Sequence, residues 1–168
     1  MQVEIIAQNN GIVLESPSLI PEIDVVVDGA DEIDKNHIMI KGGGGAHYRE
    51  KIMIEAANHS IIIADSSKYV DVITWPVPLE VSEFSRFFVE EKIKSNGGKP
   101  VIRTLNKGYP FFTQNGNLVI DAHFDQITEP LKLEQLLLNI PGIIANGIFS
   151  MKIDTFLRAN EDGSVEVV

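Results

Sequence analysis

Apolar residues run along the chain in short blocks, and three of these blocks end alike. Ile23-Asp24-Val25-Val26-Val27 is short and β-branched, the pattern of a parallel strand buried on both faces. It stops at Asp28-Gly29-Ala30-Asp31. Ile38-Met39-Ile40 stops at Lys41, and Ile61-Ile62-Ile63-Ala64 stops at Asp65-Ser66-Ser67-Lys68. Ligands of open α/β sheets bind outside the carboxyl ends of the strands. Packing gives no reason for three strands to end in polar clusters, so the three ends are expected to form one site.

Between the second and third blocks the apolar period changes to that of a helix, predicted from Ala46 to about His59. At 100° per residue Ala46, Met53, Ile54 and Ala57 share one arc, with His47, Lys51, Glu55 and Asn58 on the polar face. Glu50 falls inside the apolar arc. A carboxylate there must be paired, protonated or put to use; an ion pair with Arg49 or Lys41 is the structural alternative. Ahead of this helix stand Gly42, Gly43, Gly44 and Gly45. Glycines allow positive φ and close backbone approach, and N–H groups at a helix N-terminus favour an anion. A flexible turn would fit the four glycines equally well. No Gly-Lys-Ser/Thr follows, and His47 occupies the third glycine position of a G-x-G-x-x-G counted from Gly42, so neither nucleotide-binding loop is complete.

On either side of this centre the pattern is simpler. Residues 1–10 are weakly amphipathic through Val3, Ile6 and Ala7, with Asn10-Gly11 as a helix stop. Ile12-Val13-Leu14 reads as a short strand, and Pro17 to Pro21 as a connection. After Trp75-Pro76-Val77-Pro78, a proline-marked hinge, the order is strand 79–81, helix 83–95, strands 101–104 and 118–122, helix 131–139 and strand 143–149. That βαββαβ order is ferredoxin-like. The tail from Ile153 should form a hairpin and return to the first unit. The expected fold is α/β: a Rossmann-like parallel-sheet domain from 1–76 and 150–168, and a smaller ferredoxin-like α+β domain from 77–149. Phe84, Phe87 and Phe88, at helical spacing, read as core. Asp121 reads as structural support.

Composition narrows the function classes. The chain has 168 residues, 44% of them hydrophobic and 23% charged, values of a globular chain with a sizeable core. The net charge of −10 argues against nucleic acid or an anionic membrane as partner. A small anion is a different matter, because Lys41, Arg49, Lys51 and Lys68 cluster in the central region. There are no cysteines, which rules out disulfides and thiolate metal sites. His37, His47, His59 and His123 lack ligand spacing, and each reads as a surface or core residue. No apolar run reaches the roughly 18 residues of a membrane span, and no secretory signal pattern is visible. The simplest location is the cytoplasm.

The sequence DGADEID, then KGGGGAHYREKI, then IIIADSSK resembles the type A ribose-5-phosphate isomerases. WPVPLEV, TQNGNLVIDAHF and NIPGIIANGIF match that family in order and spacing. The resemblance implies interconversion of ribose 5-phosphate and ribulose 5-phosphate in the pentose phosphate pathway, with no metal or organic cofactor, by a homodimer. It places the general base on Glu50 and supporting polar groups on Asp28, Asp31 and Lys41. It also places substrate contacts on Asp28, Gly29, Ala30, Asp31, Lys41, Gly42, Gly43 and Gly44, with a substrate-binding lysine at Lys68. The family opens with a helix, a strand and a Gly-Thr-Gly-Ser-Thr-like phosphate loop, whereas this chain is expected to start within a later helix. A weakly active or non-catalytic sugar-phosphate binder, or a truncated fragment, is therefore the alternative. Apolar surroundings should raise the Glu50 pKa, while Lys41 and the helix N-terminus should lower it.

Overall fold

The computed structural model describes residues 2–168, with side chains from Glu4 onward, so Val3 of the first apolar stripe lies outside the described side chains. The elements in chain order are α1 (Gln2–Asn9), β1 (Ile23–Gly29), β2 (Glu32–Asp34), β3 (Met39–Ile40), α2 (His47–Ala56), β4 (Ala57–Asp65), β5 (Tyr69–Val70) and β6 (Val77–Val81). Then come α3 (Arg86–Ser95), β7 (Lys99–Ile102), β8 (Leu118–His123), α4 (Pro130–Leu138), β9 (Ile143–Asn146), β10 (Ile148–Phe149), β11 (Thr155–Ala159) and β12 (Val165–Val167).

Three four-stranded sheets result. The first has the order β1-β4-β11-β12, with β1 and β11 parallel to β4 and β12 antiparallel to β11. The returning tail 155–167 therefore forms the expected hairpin. The second, of very short strands, has the order β10-β3-β2-β5. The third is antiparallel with the order β7-β8-β6-β9, the ferredoxin-like arrangement of a βαββαβ unit. Its strand β6 is buried at every position. Val77, Leu79 and Val81 belong to a core shared with Val89 and Ile93 of α3 and Leu137 of α4. A second core, around Ile33, Met39, Ile54, Ile62, Phe149 and Phe156, ties α2 to the first two sheets.

Helix α2 is the element on which the site depends, because it packs against β1 and β4 on one side and β6 and β9 on the other. Double coverage overturns half of the polar face expected for it, since Glu55 and Asn58 stay exposed while His47 and Lys51 do not. His47 is fully buried, and Lys51 is largely so. Lys51 donates to Glu134 Oε1 (3.0 Å) and to the Ile148 carbonyl (2.7 Å). The helix is also shorter than its periodicity predicts. Ala57, Asn58 and His59 start β4, held by pairing with β1 (Ile23 with Ala57, Val25 with His59). Ladder hydrogen bonds outweigh a helical pattern of only one further turn.

Other expectations fail for related reasons. β1 is an edge strand, and Val25 and Val27 are about half exposed (52% and 56%), so it is not buried on both faces. Ile12-Val13-Leu14 is exposed coil without a ladder partner. The strand expected at 101–104 starts two residues earlier and ends at Ile102. The block 143–149 splits at Gly147 into β9 and β10, which serve different sheets. There the Gly147 N–H donates to Pro78 O (2.7 Å) and its carbonyl accepts from Lys41 N (2.9 Å), an approach that a Cβ would block. Phe84, Phe87 and Phe88 are not core: their exposures are 102%, 72% and 47%. Val89 and Ile93, four apart, form the competing stripe that α3 turns inward.

Candidate active site

The carboxyl ends of β1 and β3 and the first turn of α2 converge on an open cavity of about 210 Å³. Its wall is Asp28, Gly29, Ala30, Asp31, Lys41, Gly42, Gly43, Gly44 and Glu50. Residues separated by up to 22 positions are brought together because β1 and β3 end at the same level. The Asp31 N–H donates to Ile40 O (2.8 Å), which fixes the two turns relative to each other. Lys68 is not on this wall; it closes a short 3₁₀ turn, with Nζ 5.7 Å from the centre of the Trp75 ring. A larger hollow of about 360 Å³, lined in part by His37, Tyr69 and Arg158, lies elsewhere. Its arginine is paired with Glu166, whereas Lys41, Glu50, Asp28 and Asp31 converge on the smaller cavity.

Lys41 is at the centre of the charge arrangement. Its side chain is 3% exposed, and Nζ contacts Asp28 Oδ2 at 2.9 Å, Glu50 Oε2 at 3.3 Å and the Gly29 carbonyl. Of the two partners open for Glu50, Lys41 is therefore the one used. Arg49 turns away to the side chains of Gln114 and Asn115. The Lys41–Glu50 contact, at 3.3 Å, is long for a charge-assisted hydrogen bond, and Oε2 has no other donor among the described residues. Burial dominates its titration and raises the Glu50 pKa above the usual carboxylate value. Lys41 opposes this rise, and Asp28 and Asp31 add to it. Of the opposing effects expected from sequence, desolvation wins. The result is a carboxylate more basic than usual, facing a cavity beside an ammonium group and two further carboxylates.

The glycine loop is a rigid part of this wall. Asp31 Oδ2 accepts the Gly43 N–H (2.8 Å), and the Gly45 N–H closes on Gly42 O (2.9 Å). Gly42 has φ +103°, and a Cβ there would lie 2.7–2.9 Å from the His47 ring. Since His47 cannot move out of its buried place, Gly42→Ala should cost about 1–3 kcal/mol through strain and overpacking. Thermal unfolding of the variant would measure this, and unchanged stability would mean the loop yields freely.

Of the two residues that hold the loop, Asp121 is the structural support read from sequence, and Arg103 carries no local sequence signal. Arg103, just past β7, donates through Nη1 to the carbonyls of Gly42 (2.8 Å) and Gly43 (2.9 Å). Its Nε and Nη2 engage both oxygens of Asp121 on β8. Only the tertiary fold brings Arg103 to residues about sixty positions earlier.

Behind the loop, burial lowers the His47 pKa from 6.5 to about 4; Arg103 and Lys51 push in the same direction, and Glu80 opposes. A histidine with a depressed folded pKa contributes stability that is complete above the unfolded value and is lost as pH falls toward the folded one. Wild type should accordingly lose about 3 kcal/mol relative to His47→Gln between pH 6.5 and 4. Denaturant titrations at both pH values would detect this, and parallel curves would contradict it.

Among the described residues no group of three or more His, Asp or Glu side chains is arranged to hold a metal ion, and no helix is long and apolar enough to cross a membrane. The family model for ribose 5-phosphate isomerase A (phosphoriboisomerase A) matches residues 1–163. Ribose-5-phosphate isomerase A of Nostoc sp. is 42% identical over 151 residues, covering 88% of this chain and 64% of that protein. The Methanosarcina acetivorans protein of the same name is 39% identical over 168 residues, covering 99% and 71%. The chain thus spans less than two thirds of the Nostoc relative's length. Among solved structures, ribose 5-phosphate isomerase A from Methanocaldococcus jannaschii has a TM-score of 0.91 at 34% identity, covering all of this chain and 75% of that one. A D-ribose-5-phosphate isomerase solved in complex with phospho-erythronic acid has a TM-score of 0.92 at 38% identity, covering 99% and 74%. With the matching geometry of sheets and loops, these similarities make the chain a member of the ribose 5-phosphate isomerase A family.

Proposed function

We propose that the chain interconverts D-ribose 5-phosphate and D-ribulose 5-phosphate, with Glu50 as the base that moves a proton between C2 and C1. The observation that carries this reading is the Glu50 carboxylate, largely buried at the wall of a polar cavity with only the Lys41 ammonium beside Oε2. In the aldose-to-ketose direction Glu50 takes the C2 proton, and the C2 electrons form the enediolate double bond as the C1 carbonyl oxygen becomes negative. The same carboxyl group returns the proton to C1, while the O2 hydroxyl proton moves to O1 and the carbonyl re-forms at C2. Atoms and electrons balance without an external reductant or oxidant.

Lys41 stabilises the negative charge that develops on the oxygens, in a site where water screens it little. Asp28 and Asp31 handle hydroxyl protons and opening of the sugar ring. Of the glycine N–H groups, that of Gly44 is assigned to the anionic end, since those of Gly43 and Gly45 already donate to Asp31 and to Gly42 O, and Gly29 and Ala30 offer backbone alongside. Lys68, outside the cavity wall, is assigned to the anionic end from the resemblance alone. The proposal places the reaction in the cytoplasm, in the non-oxidative pentose phosphate pathway, and requires no cofactor. It includes a homodimer, for which exposed Phe84, Phe87 and Phe88 supply apolar surface. Incubating the purified chain with ribose 5-phosphate and following ribulose 5-phosphate by NMR tests the activity. Turnover supports it; calorimetric binding of the substrate or of phospho-erythronic acid without turnover would leave a sugar-phosphate-binding protein.

A further inference from the structure

The isomerase reading assigns no part to the ferredoxin-like sheet, yet that sheet reaches into the site through one ion pair. Arg103, just past β7, and Asp121, on the neighbouring β8, have side chains only 17% and 20% exposed. All three guanidinium nitrogens are engaged. Nε and Nη2 take both oxygens of Asp121, and Nη1 takes two consecutive backbone carbonyls, Gly42 and Gly43.

That last contact has a geometric consequence. In a trans peptide the N–H points away from the C=O of the same unit. Drawing the Gly42 and Gly43 carbonyls to one nitrogen therefore turns the N–H groups of Gly43 and Gly44 away from it, to the side opposite Arg103. For Gly43 that side is the cavity, since its N–H meets Asp31, a wall residue, at 2.8 Å. Gly44 lies on the same wall. The Gly43 N–H is taken by the Asp31 carboxylate, so the Gly44 N–H, turned to the same side, is the one left for a ligand oxygen. A carbonyl that accepts from a guanidinium also polarises its peptide and strengthens the N–H beyond it. Asp121 fixes the fork in place and balances its charge, so Arg103 shapes the loop without acting as a free cation.

We infer that Arg103 and Asp121 are positioning residues, which hold the loop so that the Gly43 N–H orients Asp31 and the Gly44 N–H meets an oxygen of the substrate, the sugar phosphate of the isomerase reading. Neither touches the reacting atoms. A lysine at 103 keeps the charge but lacks the planar fork needed to hold two carbonyls and a carboxylate together.

The test compares wild type, Arg103→Lys and Asp121→Asn by three measurements. Amide hydrogen exchange at Gly43 and Gly44 should quicken about tenfold or more in Arg103→Lys, and less in Asp121→Asn, while β1 and β4 keep their protection. KM for ribose 5-phosphate and Kd for phospho-erythronic acid should rise about 10–100-fold in Arg103→Lys, with kcat within about threefold. A merely structural role would instead reduce the folded fraction, which lowers apparent kcat and leaves KM unchanged. Unchanged exchange at Gly43 and Gly44 in both variants would overturn the inference whatever the activity. Quickened exchange with wild-type KM and Kd would overturn it as well. If wild type neither binds nor turns over the sugar phosphate, the isomerase reading fails by itself; quickened exchange would still support the clamp, and unchanged exchange would still refute it.

Discussion

Glu50→Gln is expected to lower the turnover of ribose 5-phosphate by about 10²–10⁴-fold, the usual contribution of a positioned general base. Glutamine keeps the shape and removes the basic oxygen, so KM should change little. The substitution should also stabilise the fold at neutral pH, for a reason visible in the site. Glu50 is largely buried, one of its oxygens has only the Lys41 ammonium beside it at 3.3 Å, and burial raises its pKa. A carboxyl group with a raised folded pKa favours the native state while protonated, below the unfolded value of about 4.5. That contribution is lost as pH rises through the folded value. Relative to Glu50→Gln, wild type should thus become less stable between pH 4.5 and neutrality. The acid limb of kcat/KM should lie above the ordinary glutamate range. Thermal unfolding at several pH values, alongside a pH–rate profile, checks both. A stability difference independent of pH would show that Glu50 titrates normally.

Lys41→Met should remove both stability and activity. Lys41 is nearly inaccessible, and its ammonium group faces Asp28, Glu50 and the Gly29 carbonyl. Without it two carboxylates confront each other across the cavity. Breaking a fully buried pair costs about 3–5 kcal/mol. Asp28 retains 30% exposure, so about 2–3 kcal/mol is expected here, since solvent screens part of the lost attraction. Turnover should fall about 10²–10³-fold through loss of the group that stabilises the enediolate charge. The Glu50 pKa should rise further, moving the acid limb of the rate profile upward. Denaturant titration and a pH–rate profile of this variant measure these effects. Retention of near-normal kcat would exclude Lys41 as the electrostatic partner of the reaction.

The centre of the site was legible in the sequence because its parts are local. Asp28 and Asp31 share one turn, Lys41 and the glycines share another, and Glu50 follows within the first turn of α2. Strand ends that carry charge announce themselves in a hydrophobic pattern. The ferredoxin-like order was legible too, since each of its six elements has a pattern of its own. What sequence could not provide was coverage. Periodicity says which residues share a face, but the surroundings of that face are set elsewhere in the chain. His47 lay on a formally polar arc and is buried because β6 closes over it. Phe84, Phe87 and Phe88 had a core-like spacing but lost the interior to Val89 and Ile93. Arg103 is the clearest case: its partners are the backbone carbonyls of Gly42 and Gly43, and no side-chain motif records them. Lys68 is assigned to the substrate by the resemblance, and in the fold it stands beside Trp75, off the wall of the cavity.

The claim that Glu50 carries the proton between C2 and C1 is tested most directly by isomerisation in D₂O. The positions of solvent deuterium in ribose 5-phosphate and ribulose 5-phosphate would be read by NMR for wild type and Glu50→Gln. Wild type should exchange a single C1 proton of ribulose 5-phosphate stereospecifically while converting the sugars, and Glu50→Gln should do neither at a measurable rate. Exchange by Glu50→Gln at the wild-type rate, or conversion and exchange absent from wild type itself, would contradict the account.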